Sequence, residues 1–438
     1  LAPEKIDLPP GVPLNFTWEA DASDYGGEIV GYRYGWDVQD LSNPGDWETS
    51  FSPFNRAAPE RKWFSGTHIL YIEVLDNAGT LTRGQILIEV IPFTMERNLL
   101  YVDDYYSIDP QSPGYETPGE TNHDNFWLDI CLRSREFNPE RDIYDCISRN
   151  LEPPEIRDVG KYKNIIWCYS ASNRSWVRVV FFTPESQVGT SGQVAINYLS
   201  IFLAKGGHLW TLGRSDRAGG MAAMLRQPAQ SFPMSLKCEI TGNQEGCSGD
   251  TSGVNSMGYK DYCITMLDKI TATFRTEEDM CYRFVSQYDA MDYGYKDDSD
   301  PVTQMYPDLP DSIILWSEVT RPGRFFAPDN PPPYPGGLTY VEVYDPQYWM
   351  ERNFVESQSC FHPIYRMRTR NTNSCLNNQA IALWVTKYDD VVPEVQYGVA
   401  VAAKSFHFGF PIWFFERRHV NAIVDQIFTE WQIKEDSP

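Results

Sequence analysis

The sequence predicts a multidomain chain: an all-β sandwich over residues 1–93, then a three-layer α/β domain over 97–438 that carries an irregular insertion at about 226–380. Three observations predict it. Residues 1–93 hold short alternating or β-rich runs separated by Gly, Pro, Asn and Asp turns, the texture of a sandwich. From about residue 97 short apolar runs alternate with amphipathic stretches, the pattern of a mostly parallel sheet covered on both faces. Residues 226–380 break that alternation with Pro, Gly, Cys, Tyr and Asp, as long loops on the carboxyl side of a sheet do.

The chain has 438 residues, 42% hydrophobic and 22% charged, which is ordinary globular usage and excludes a disordered or collagen-like class. Lys plus Arg number 37 against 60 Asp plus Glu, and a net charge of −23 repels phosphate backbones and anionic headgroups. Nucleic acid is therefore not an expected partner. No apolar run reaches the roughly 18 residues of a membrane helix, so no transmembrane segment is expected. The chain opens at Leu1 without a charged and apolar leader, which reads as a processed chain whose targeting segment has been removed.

In the first region the strands are read at 14–18, 29–36, 68–75 and 85–91, each bounded by turn residues. Residues 30–34, Trp47 and the run 66–79, ending Asp76-Asn77-Ala78-Gly79, resemble bacterial surface immunoglobulin-like or fibronectin type III-like modules. The resemblance implies that this turn joins the last two strands, and that the module spaces, presents or binds rather than carries chemistry.

In the second region residues 98–104 form an apolar run ending in Asp103 and Asp104, followed by a Pro/Gly loop and a helix over roughly 124–137. A strand at 163–169, a helix near 192–205 and a strand at 206–213 repeat the unit; a late strand at 397–405 precedes a terminal helix near 417–431. Residues 99–104, 198–213 and the closing Gly409-Phe410-Pro411 resemble the flavodoxin-like domain of class I glutamine amidotransferase relatives, their non-catalytic extracellular branch included. That resemblance implies a nucleophile on a strained strand-to-helix turn, G-x-C-x-G or its serine form. Here Gly213-Arg214-Ser215-Asp216-Arg217 stands in the matching place, with Ser215 at the nucleophile position and Arg217 in place of the second glycine. The late His-x-Glu pair is missing, because His407 is followed by Phe408 and Gly409. Ser215 without a base is a poor nucleophile, and the resemblance implies a degenerate domain.

Other chemistry is weighed residue by residue. Asp103 and Asp104 offer a metal two carboxylates or cap the following loop. Asp297, Asp298 and Asp300 form the densest acidic run, either calcium ligands or a solvated loop, and lack the spacing of an EF-hand. No HxH or HExxH pair, P-loop or G-x-G-x-x-G turn is present, and no cofactor is expected. Eight of nine cysteines fall into local couples, Cys131 with Cys146, Cys238 with Cys247, Cys263 with Cys281 and Cys360 with Cys375. They read as disulfides or as reduced thiols, while Cys168, in an apolar run, reads as a buried free thiol. Asn15 and Asn173 match the glycosylation acceptor pattern, so glycans are permitted.

These readings point to a non-catalytic secreted or cell-surface protein of structural or assembly role, self-associating and able to form a filament. The lead 1–13, with Ile6 and Leu8 alternating with charges, is expected to lie along another subunit's sheet edge. An extracellular hydrolase or transferase, and a carbohydrate-binding surface protein using the abundant aromatics, stay open as alternatives.

Overall fold

Six strands form from the first ninety-three residues: β1 (Glu4–Leu8), β2 (Pro13–Thr17), β3 (Ile29–Trp36), β4 (Ala57–Lys62), β5 (Thr67–Asp76) and β6 (Leu81–Val90). The computed structural model describes residues 4–105, 119–150, 154–169, 202, 205–213, 291–300, 303–316, 361–369, 372, 377–386 and 404–434. The chain divides into two compact units, one within Leu1–Phe93 and one from Thr94 onward.

The first unit has a four-stranded sheet in the order β1-β6-β5-β3 and a two-stranded sheet of β2 and β4. Its aromatic residues fasten one to the other: Trp36 of β3 lies 4.6 Å from the Trp63 ring and 5.8 Å from Phe16 of β2. The β5–β6 hairpin turns at Asp76-Asn77-Ala78-Gly79. There the Asp76 carboxylate accepts from the Ala78 and Thr80 amides at 2.9 and 2.7 Å, and Gly79 takes the positive φ the turn requires. The lead is used at home rather than donated. β1 pairs in parallel with β6, from Glu4 opposite Ile86 to Leu8 opposite Val90, and Leu8 is buried. This corrects the expectation of an edge-seeking arm, because an apolar alternation next to a free edge of its own sheet pairs there first.

The second unit is built on a nine-stranded mixed sheet. Its strands are β7 (Arg97–Asp104), β8 (Ile143–Asp145), β9 (Tyr162–Tyr169), β10 (His208–Leu212), β11 (Met291–Lys296), β12 (Ser312–Ile314), β13 (Phe361–Thr369), β14 (Ala380–Thr386) and β15 (Lys404–Phe408). They lie in the order β12-β11-β13-β14-β15-β10-β9-β7-β8. From β8 to β15 every pairing is parallel; from β15 to β12 every pairing is antiparallel.

The expected three-layer, flavodoxin-like α/β domain is therefore not supported: among the described residues strand accounts for 42% against 21% helix, in three sheets. Part of the reason lies in the supposedly irregular insertion. β11, β12 and β13, with the first residue of β14, come from 226–380, where Tyr, Ile, Phe and Thr favour a pleated surface despite the surrounding Gly, Pro and Asp. They extend the sheet by antiparallel pairing, which needs no crossover helix between neighbours.

Among the described residues the helices are α1 (Glu120–Cys131), the single turns α2 (Pro139–Asp142) and α3 (Ile156–Val159), and α4 (Arg417–Glu430). In α4, Val420, Ile423, Val424, Ile427 and Phe428 are buried at helical spacing, and α1 buries His123, Phe126, Trp127, Ile130 and Cys131. Apart from His123, these side chains share one core with Tyr101, Ile166, Cys168, Trp210 and Phe408 from the sheet. Arg417 of α4 lies 4.3 Å above the Phe126 ring of α1, so the two helices are neighbours on that face.

The proposed Cys131–Cys146 couple does not form. Both are buried free thiols, Cys131 closing α1 within the core and Cys146 following β8, where its amide donates to the Asp103 carbonyl. Fourteen intervening positions bring the chain from helix to sheet, so nearness in sequence does not become contact here. Cys168 is likewise free and buried.

Candidate functional site

In a parallel sheet, ligands bind where strands end at their carboxyl side, and the neighbouring strands β7 and β9 end together. Their register sets Asp103 opposite Cys168 and Asp104 opposite Tyr169. Both aspartates are buried; the Asp103 Oδ1 accepts from the Tyr105 amide at 3.1 Å, and Trp167 Nε1 faces Asp104 Oδ2 at 3.5 Å.

The helix α1 brings a second set of groups to this place. His123 and Trp127 are four residues apart and so lie on one helix face, where the Trp127 indole N–H donates to His123 Nε2 at 3.1 Å. Tyr105 stacks on the imidazole with centroids 3.9 Å apart, and Cys168 Sγ lies 3.5 Å from Nε2. The imidazole is 1% exposed. Its other nitrogen, Nδ1, points at Asp103 Oδ2 from 3.5 Å and has no hydrogen-bond partner. Asp124, next in sequence, is exposed at the rim. Partial burial, with the Asp103 carboxylate beside it, pushes its carboxyl up to about 6. One ligand atom from each of Asp103, His123 and Asp124 lies within 4.8 Å of the others.

The third strand of the group, β10, closes against the end of β9. Gly213 has φ +143°, and a Cβ there would stand 2.2 Å from the Tyr169 carbonyl oxygen, so only glycine lets the chain pass. Thr211 and His407 are cross-strand partners with Oγ1 and Nδ1 2.8 Å apart, and His407 Nε2 reaches Ser405 Oγ at 3.0 Å. Burial pushes His407 down to about 3, so it stays neutral inside the sheet. Burial also pushes the Cys168 thiol well up, with the Asp103 charge adding to it.

The acidic run lies elsewhere and is spent on protein partners. Asp297 accepts from Arg366 Nε at 2.5 Å, Asp300 Oδ2 lies 3.2 Å from His362 Nδ1, and exposed Asp298 faces Lys296 at 3.3 Å. These carboxylates turn to separate side chains rather than to a common point. Asn15 is exposed on β2. Ser215, Asn173, Cys238, Cys247, Cys263, Cys281, Cys360 and Cys375 lie outside the described residues. The sequence points to Asp103 but not to His123 or Asp124 as ligands, because its periodicity starts the helix at 124. Starting one turn earlier, at Glu120, puts His123 in phase with Trp127.

No family model matches the chain and no curated protein matches it. Among solved structures, the fibronectin(III)-like modules of Clostridium thermocellum CbhA match at 21% identity, over 20% of this chain and 91% of that one, with a TM-score of 0.15. A 2,6-sialyltransferase from a Vibrionaceae Photobacterium species matches at 9% identity, over 59% of this chain and 52% of that one, also with a TM-score of 0.15.

Proposed function

We propose that this chain is a non-catalytic binding and assembly protein of the cell exterior, and that the first unit supplies its contact surface. The observation that carries the reading is a group of exposed apolar side chains at one end of β5. Tyr25 is 64% exposed and its hydroxyl donates to Asp76; Val30 lies at the bulge of β3 beside Leu75 and Asp76; Leu81 pairs with Leu75 from the other side. Val30 and Leu81 are also exposed. These three exposed side chains at one end of the sheet offer apolar area to a partner.

The condition of the reactive groups in the second unit also favours binding over covalent catalysis. The thiol of Cys168 is buried and protonated, and the imidazole of His407 is held between Thr211 and Ser405 in the sheet. Sedimentation velocity of the full chain over a hundredfold range of concentration tests the reading. Concentration-dependent association is expected, and the double substitution Val30→Ser, Leu81→Ser should abolish it while leaving the far-ultraviolet spectrum unchanged. A chain that stays monomeric throughout, or a double variant that associates like the parent, overturns it.

A further inference from the structure

The geometry points to a divalent-cation site formed by Asp103, His123 and Asp124, an inference independent of the assembly reading. Two carboxylates and one imidazole converge at the carboxyl end of β7, with their ligand atoms within 4.8 Å of one another. The second, independent observation is His123 itself, a buried ring whose Nδ1 is aimed into the cluster and lacks a hydrogen-bond partner.

The separation of Nδ1 from Asp103 Oδ2 is informative. At 3.5 Å it is too long for a good N–H···O bond. Two ligands each about 2.1 Å from one tetrahedral ion stand about 3.4 Å apart, so the pair is spaced as neighbouring ligands of a common ion. An imidazole with two carboxylates suits zinc, cobalt or manganese better than calcium, which takes six to eight oxygens. Asp124 stands at the exposed rim, so the ion has a path in.

Binding has a consequence inside the protein. Because Trp127 donates to Nε2, the neutral ring carries its proton on Nδ1. A cation on Nδ1 requires that proton to leave to solvent and another to be taken up on Nε2, with no net change of charge on the ring. The new Nε2–H then faces Cys168 Sγ, 3.5 Å away, and the Trp127 indole loses its acceptor. Occupancy should therefore register in the Trp127 environment.

The experiment uses the full chain, reduced, stripped with chelator and titrated with cobalt(II), followed by calorimetry and absorbance. One equivalent is expected at this site, with visible d–d bands and without the intense near-ultraviolet absorption of thiolate ligation. Indole fluorescence should change on binding, and Trp127→Phe should remove that change. Asp124→Asn, at an exposed position that does not endanger folding, should weaken binding at least tenfold. His123→Gln should do the same and serves as a second variant. Absence of binding, thiolate absorption, or equal binding by the parent and Asp124→Asn overturns the proposal.

Discussion

Glu73 and Arg33 face each other across the β3–β5 register, and the carboxylate of Glu73, fully buried, is gripped from its other side by Arg83 of β6. The three residues run in one line across three strands, and Arg33 also lies 4.1 Å above the Trp47 ring. Glu73→Ala would leave Arg33 almost buried without its anion, at a cost of about 3 kcal/mol. Urea denaturation of the full chain should show that loss, with Glu73→Asp intermediate. An unchanged midpoint would mean that the line of charges holds nothing.

Acid should loosen the second unit through Asp142. Burial alone would raise its carboxyl, but hydrogen bonds from Arg141, the Asn138 amide and Tyr162 outweigh it and hold the group below its ordinary value. A depressed folded value means that the unfolded chain binds the proton more readily. The stabilisation is then complete above about pH 4, the ordinary carboxyl value, and disappears as the pH falls through the lower folded value. Thermal melts from pH 6 to pH 2 should show a steeper decline for the parent than for Asp142→Asn.

Gly213→Ala should disrupt the meeting of β9 and β10. The added methyl has the Tyr169 carbonyl oxygen 2.2 Å away and sits on a backbone of positive φ. Backbone strain and overpacking together should cost about 2–4 kcal/mol. The melting temperature reads the effect, and Gly79→Ala, with open space around the same atom, should cost less.

Cys131, Cys146 and Cys168 should resist alkylation by iodoacetamide at pH 7.5 in the native protein and react fully in denaturant, since all three thiols are buried and pushed well up. Peptide mass spectrometry separates these positions from the others. Recovery of Cys131 and Cys146 as a linked pair from unreduced protein would contradict the free thiols described above.

The parts of this fold that could be read from sequence are those in which a strand or helix declares its own surroundings. β7 and β9 are continuous apolar runs because both of their faces are covered, and the Asp76 turn carries its hydrogen bonds within five residues. α4 shows its stripe directly. What stayed hidden depends on distant partners. β11 and β13 look like loops until each is seen beside the other, Gly294 against Met367, and the alternating lead of β1 says nothing of which edge it will take. The cation cluster joins Asp103 at a strand end to His123, twenty residues further on, and no spacing rule links the two before the helix begins in the right place.

β15 sits between β10 and β14 in the sheet, parallel to one and antiparallel to the other, although β10 ends at Leu212 and β15 begins only at Lys404. During synthesis the edge of β10 must wait for its neighbour for roughly 10–40 s at ordinary ribosomal rates. Through that interval a strand that ends wholly buried, with Leu209, Trp210 and Leu212 as its apolar residues, has no partner on one side. The nascent chain is then most open to mispairing and to capture by chaperones, and slowing translation after β10 should lower the yield of native protein more than slowing it after β15.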